Sequence, residues 1–316
     1  MIDRFGRSID YLRLSVTERC TLRCTYCRVE EGICPKAHEL SADEFERIVR
    51  ACARLGIHKV RITGGEPLLR KDILEIIRRL SAIDEIKEIT MTTNAQQLAG
   101  RAGALKAAGL KRMNISLDTL DADKYREMTG GELSTVLSAI DEVIEAQLLP
   151  VKINTVIVKG KNDDEVDALM GLAKERPIEV RFIELMPIGE LGQNGALRVN
   201  NDELIAARPY LQPLPPCYPG QPARDYAVDG YKGRVGFISP LSHKFCASCN
   251  RIRVMSDGKI RPCLGNNGEV ETQELLAQGD EMALLDTIRS AIYHKPIGHH
   301  FNTGFISVKN MSRIGG

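Results

Sequence analysis

The chain has 316 residues, enough for one large domain or two of ordinary size, with 43% hydrophobic and 27% charged residues. Lys plus Arg (43) and Asp plus Glu (42) nearly cancel, so bulk charge points to neither nucleic acid nor membrane, and an anion site has to come from local clustering. No apolar run approaches the roughly 18 residues of a membrane span, and no signal peptide is expected. The expected setting is therefore the reducing cytoplasm, where grouped cysteines bind metal or do chemistry more often than they form disulfides.

The first β-type run is "YLRLSVT" (11–17). Directly after it come Cys20, Cys24 and Cys27, spaced C-x3-C-x2-C. Three thiols this close read as a metal site, yet a closed zinc or iron–sulfur site takes four protein ligands. Two readings stand: a zinc knuckle completed from elsewhere, or a four-iron cluster with one iron left open for chemistry. A helical pattern at 41–55 follows, with Ser41 as N-cap, and then the strand "HKVRIT" (58–63), which runs into Gly64–Gly65–Glu66–Pro67. The alternation continues with helix 71–81, strand 86–94, helix 97–108, strand 111–118, helix 134–147, strand 151–158, helix 163–175 and strand 179–186. Repeated strand–helix units of this length imply parallel pairing with right-handed crossovers. Six units are too few for a closed eight-stranded barrel of about 250 residues, so the expected fold is an open, incomplete parallel β/α barrel. Chemistry in such folds sits at the C-terminal strand ends, where "TGGEP", "TTN", "SLD" and "ELMP" gather polar residues.

Residues 187–223 are rich in Gly and Pro and read as a connector, which places a domain boundary near 220/221. Beyond it lies a smaller α+β region, 221–316, with strands at "RVGFISP" and "RIRVMSDGKIRPC", an Asp257–Gly258 hairpin turn and a helix at 280–293. It carries a second triad, Cys246, Cys249 and Cys263, spaced C-x2-C-x13-C. His243 is a conceivable fourth ligand for zinc; a second open cluster is the preferred reading. Arg251 and Arg253, two apart in a strand, face the same way, and Arg is the side chain suited to bidentate phosphate contact. The remaining cysteines, Cys34, Cys52 and Cys217, read as structural.

The Cys-x3-Cys-x-Tyr-Cys run followed by a strand ending in "GGEP" resembles the radical S-adenosylmethionine superfamily. That resemblance implies a [4Fe-4S] cluster on Cys20, Cys24 and Cys27, with S-adenosylmethionine chelating the open iron and cleaved to a 5′-deoxyadenosyl radical. Tyr26, Gly64, Gly65, Glu66, Ser116 and Met186 match positions that contact this cofactor, the glycines by allowing close backbone approach. Together with "NISLD", "FIELMPIG", "CxxCNRIRVMSDGKIRPCL" and a terminal Gly-Gly, the motifs are similar, over nearly the whole chain, to the GTP 3′,8-cyclase family.

The narrower resemblance implies a second [4Fe-4S] cluster on Cys246, Cys249 and Cys263 that binds the guanine. The radical would remove the ribose 3′ hydrogen, and attack on C8 would give 3′,8-cyclo-7,8-dihydro-GTP. Implied GTP contacts are Arg13, Arg61, Thr92, Lys152, Arg251, Ile252 and Arg253, with Arg181 and Arg261 joining the cationic set. Gly315 and Gly316 would reach the active site. Implied partners are GTP as substrate, a cyclic pyranopterin monophosphate synthase receiving the product, and an electron donor such as flavodoxin or ferredoxin; a homodimer is compatible with this. The competing readings are a peptide-modifying radical enzyme with an auxiliary cluster, and a zinc-stabilised RNA-binding scaffold.

Overall fold

A computed structural model describes residues 1–27 and 39–315. Cys34 and Gly316 lie outside the described residues. The strands in chain order are β1 (Tyr11–Ser15), β2 (Lys59–Thr63), β3 (Glu88–Thr93), β4 (Arg112–Ser116), β5 (Val151–Ile157) and β6 (Ile178–Glu184). They are followed by β7 (Gln212–Pro213), β8 (Ala223–Ala227), β9 (Arg234–Ile238), β10 (Arg251–Val254) and β11 (Ile260–Arg261). All belong to one sheet in the order β11-β10-β1-β2-β3-β4-β5-β6-β9-β8-β7. The six expected strands are parallel neighbours in sequence order, which is the open partial barrel. The C-terminal region extends that sheet at both edges: β10 lies parallel to β1 and β9 parallel to β6.

Strands buried on both faces usually read as near-continuous apolar runs. Here they alternate. Leu12, Leu14, Val60, Ile62, Ile89, Met91, Met113, Ile115, Val180 and Phe182 are buried in the hydrophobic core beneath the helices. The intervening residues are polar, and cross-strand register aligns them in rungs: Arg253, Arg13 and Arg61; Thr92, Asn114 and Lys152; Asn154 and Arg181. The side chains inside the barrel therefore form a lined cleft where a closed barrel would carry a packed apolar core.

The helix at Ala42–Arg54 is set by its start. The Ser41 hydroxyl accepts the Glu44 amide N–H, the Glu44 carboxylate accepts the Ser41 amide N–H at 2.8 Å, and Phe45, Ile48, Val49 and Cys52 turn inward. The helix expected at 97–108 begins only at Ala102, because the chain first turns through Ala95 and Gly100 at positive φ. Short helices at Ala122–Thr129, Gly189–Gln193, Asn201–Ala206, Gln273–Gln278 and Met311–Ile314 had too few turns to declare a period. The Asp257–Gly258 hairpin forms as expected, with β10 and β11 antiparallel and Gly258 at φ +89°. No helix among the described residues is long and apolar enough to cross a membrane.

Candidate active site

One cavity of about 360 Å³ opens at the C-terminal strand ends, and all six grouped cysteines line it. The first triad follows β1 on a loop that is stitched down on two sides. The Arg23 and Thr25 amides donate to the Thr129 and Met128 carbonyls at 2.8 and 2.9 Å. On the other side, Gly65 N–H donates to the Thr17 carbonyl and Glu66 N–H to the Arg19 carbonyl, both at 2.7 Å. A Cβ on Gly65 would sit 2.2 Å from the Arg19 carbonyl oxygen, and one on Gly64 2.5 Å from that of Thr17. The two glycines line the cavity, but what forbids a side chain there is the backbone carrying the cysteines.

Glu66 corrects an expectation. It is fully buried and does not face the cavity: its carboxylate accepts from the Leu68 and Asn94 amides and from the Thr93 hydroxyl. Tyr26, Ser116 and Met186 do line the cavity. The Tyr26 phenol donates to Asp118 at 2.6 Å, and burial pushes the Asp118 carboxyl up to about 6, against the pull of that hydrogen bond.

The second triad is built around cations. Arg7, paired with Asp3, donates to the carbonyls of Cys246, Ile297, Pro296 and Lys295, clamping the chain on either side of the site. Lys295 is buried, lines the cavity and donates to the Pro262 carbonyl at 2.5 Å. His243 is no ligand candidate here, since its ring lies 2.7 Å from Asp202 and half-exposed. His299 does line the cavity, but both ring nitrogens are taken: Nε2 by the Pro240 carbonyl at 2.8 Å, Nδ1 by the Phe301 amide at 3.3 Å.

Between the triads lie Arg13, Arg61, Thr92, Arg181, Arg251 and Arg253. Burial, then repulsion from Arg253 and further arginines, holds the Arg13 guanidinium well below its ordinary range. Burial, only partly offset by attraction to Cys263, lowers Arg253 to about 10. Burial alone would push the Tyr11 phenol up, yet Arg61, Arg13 and Arg251 together pull it down. Positive charge gathered this densely in a buried wall is costly, and an anion bound there would offset it. The wall also holds buried polar atoms without a hydrogen-bond partner: Arg61 Nε, Thr92 Oγ1, Asn114 Oδ1 and Asn154 Oδ1. Asn114 and Asn154 were missed from sequence; their signal was position, since each continues an inward-facing rung.

Three other expectations need restating. Ile252 is 1% exposed and packs in the core, so only its backbone is available. Arg261 does not line the cavity; its guanidinium, fully buried, contacts Glu269, Asn267 and the Cys263 and Leu264 carbonyls, which holds the loop of the third cysteine. Lys152 lies outside the cavity lining, 2.5 Å from Glu179, which also binds Arg181. Burial, with repulsion from Arg181, lowers Lys152 to about 8. The Pro-rich connector, whose course was not readable, passes beside this wall. Its Tyr218 ring stacks under Lys59 at 5.0 Å, and the Gly220 carbonyl accepts from Arg251 at 2.8 Å.

The tail arrives at the same place. The Gly315 carbonyl accepts from Arg253, Gly315 adopts φ +76°, and a Cβ there would meet Thr63 Oγ1 at 2.7 Å. Arg313 pairs with Glu18 at 3.1 Å and Lys309 with Glu269 at 2.8 Å.

The donor set suits two open iron–sulfur clusters. Each triad brings three cysteines, none in a disulfide, to one cavity, and the glycine-tight backbone and orphaned side-chain amides leave polar atoms waiting for a ligand. Comparison with known proteins agrees. Residues 14–173 match the radical SAM superfamily model and 178–301 the molybdenum cofactor synthesis C model. The chain is 48% identical to the GTP 3′,8-cyclase of Alkaliphilus oremlandii over 322 residues. It is 44% identical to that of Moorella thermoacetica over 323, covering 100% of both chains in each case. In fold it is similar to Streptococcus suis SuiB. The TM-score is 0.58 at 20% identity for SuiB bound to S-adenosylmethionine, covering 90% of this chain and 66% of SuiB. A second SuiB structure gives 0.60 at 19%, covering 90% and 68%. SuiB is thus matched over about two thirds of its length, and at such identity the likeness is one of fold. With full-length identity of this order across its whole sequence, the chain belongs to the GTP 3′,8-cyclase family of the radical SAM superfamily.

Proposed function

We propose a division of labour across one cavity, in which the first triad serves radical formation and the second, with its arginines, holds the substrate. The reaction itself is that of the family: conversion of GTP to (8S)-3′,8-cyclo-7,8-dihydro-GTP, the first step of molybdenum cofactor biosynthesis. When bound, the [4Fe-4S] cluster and S-adenosylmethionine supply the one-electron cleavage that yields the hydrogen-abstracting radical. Cys20, Cys24 and Cys27 hold one cluster and Cys246, Cys249 and Cys263 the other. Tyr26, Gly64, Gly65, Ser116 and Met186 orient S-adenosylmethionine.

Arg13, Arg61, Thr92, Arg181, Arg251 and Arg253 receive GTP, with Lys152 behind them and Ile252 through its backbone. Their job is positioning and charge compensation, since a polyphosphate relieves the mutual repulsion of the arginines. Gly315, whose carbonyl accepts from Arg253, leads the terminal Gly-Gly toward the substrate, where residues without side chains fit beside it. A cytoplasmic setting, a homodimer, a flavodoxin or ferredoxin as electron donor and hand-off to a cyclic pyranopterin monophosphate synthase complete the reading.

The observation that carries it is that both triads and the arginine wall line a single cavity. Anaerobic incubation of the reconstituted protein with GTP, S-adenosylmethionine and a reductant tests it. The expected products are 5′-deoxyadenosine and the cyclised nucleotide, from protein holding about eight irons, the sum of two four-iron clusters. Deoxyadenosine formed while GTP stays intact would sink the substrate assignment and leave the radical chemistry standing.

A further inference from the structure

Strand β3 ends at Thr93, and Asn94 is the first residue past it. The Asn94 side chain lies beside the first triad, with Nδ2 3.5 Å from Cys20 Sγ and 3.3 Å from Thr21 Oγ1. The amide cannot be turned the other way. Its Oδ1 accepts the Gln96 amide N–H at 3.0 Å, and a flip would set two donors against each other there. The residue is 8% exposed, and its backbone is fixed as firmly as its side chain. Its own N–H donates to Glu66 Oε2 at 2.7 Å, and the Thr93 hydroxyl donates to Glu66 Oε1 at the same distance. The Thr93 oxygen in turn accepts the amide of Ala95, where the chain turns left-handed at φ 62°. A wholly buried carboxylate from the Gly-Gly-Glu-Pro turn thus grips the end of the next strand and aims one amide at a cysteine sulfur. At the second triad the nearby asparagine, Asn250, spends its amide on Asp10 at 2.6 Å.

We propose that Asn94 is a positioning residue that tunes the first cluster by donating an N–H···S hydrogen bond to Cys20, and that Glu66 holds it in place. The inference rests on reading Cys20, Cys24 and Cys27 as cluster ligands. A donor to a cluster sulfur favours the more negative, reduced state and so raises the midpoint potential. Glu66 thereby acquires a role toward the cluster without touching S-adenosylmethionine.

The test is an EPR-monitored redox titration of the reconstituted protein. The signal of the first cluster is recognised by its change when S-adenosylmethionine is added. In N94A, which loses the donor without adding charge, the midpoint should move to a more negative value. N94D keeps the turn to Gln96 but replaces the donor with an anion, and should move it further. E66D, which keeps the charge but shortens the reach and so loosens the grip on Asn94, should give a smaller shift in the same direction. Iron content and the potential of the second cluster should stay at wild-type values in all three. An unchanged midpoint in iron-loaded N94A would overturn the proposal. So would failure of both Asn94 variants to hold iron at the first triad, which would make the residue part of the loop's structure. A wild-type protein with no signal responsive to S-adenosylmethionine would instead refute the cluster reading beneath it.

Discussion

The two cysteine triads offer the same donors to the same cavity and stand in opposite electrical surroundings. The side chains packed against the first are neutral or acidic, namely Tyr26 on Asp118, Asn94, and Glu66 buried behind them, while Arg19 turns onto Glu39 and Arg23 is exposed. Around the second are Arg7, Lys295, Arg251 and Arg253, with Arg261 underneath. The first is fixed by backbone hydrogen bonds and by glycines with no room for a side chain; the second is fixed by guanidinium and ammonium groups gripping carbonyls. Three thiolates alone do not decide what a cluster is for. The charge packed against them does, because it sets which ligand is welcome beside them.

The widest separation between the two regions should come from removing a cysteine in each. Cys24→Ala should abolish 5′-deoxyadenosine formation altogether. Cys249→Ala should still cleave S-adenosylmethionine while losing GTP conversion, with iron falling by about half in either variant, one cluster of two. If both variants lose deoxyadenosine equally, the two regions do not divide the work. Next in size is Gly65→Ala, whose methyl would collide with the Arg19 carbonyl. Iron should be lost at the first triad and retained at the second, as read by iron analysis and EPR.

Arg253→Ala should weaken GTP binding by about 10- to 150-fold, the equivalent of one charge-assisted hydrogen bond of about 1.5–3 kcal/mol. Iron content should not change, and calorimetric titration with GTP reads the loss. A parallel fall in iron would assign the arginine to the scaffold.

The smallest effect is a pH dependence. Lys152 sits at about 8 in the folded protein against an ordinary 10.5. Between those values the unfolded chain binds more protons, so the lysine's penalty on stability is full below pH 8 and is relieved as pH rises toward 10.5. A bound triphosphate favours the charged form, so GTP binding near pH 8 should take up a proton and weaken as pH rises beyond it. In Lys152→Met that uptake should vanish, and the affinity gap from wild type should narrow above pH 8. Calorimetry in buffers of different ionisation enthalpy measures this. Uptake undiminished in the variant would detach Lys152 from the substrate.

The partial barrel was legible in sequence because each strand announces itself by alternation and each long helix by its period. Both triads were legible because cysteine spacing is local. What could not be read was whatever depends on the far partner of a side chain. Glu66 belongs to a motif associated with the cofactor, and only the fold reveals that Thr93 and Asn94 claim its carboxylate. Arg261 carries the same charge as Arg253 and pairs with it across the hairpin, yet one is sealed by Glu269 and the other faces the cavity. Asn114 and Asn154 are ordinary residues in ordinary strands; register alone sets them in the cavity wall. The connector's course was likewise decided by contacts with Lys59 and Arg251 that no local pattern encodes.

The pairing of β10 with β1 and of β9 with β6 has a consequence for how the molecule is made. Both flanks of the six-stranded sheet are capped by chain that leaves the ribosome last. Until then the first half presents two open parallel edges, the arrangement most exposed to pairing with a neighbour. Strand β1 must find β10 across most of the polypeptide, a long-range pairing that forms slowly. A fragment ending before Arg234 should therefore precipitate, however complete its own six strands and its own cysteine triad. The first triad gains the C-terminal wall of its cavity only once the second half is in place.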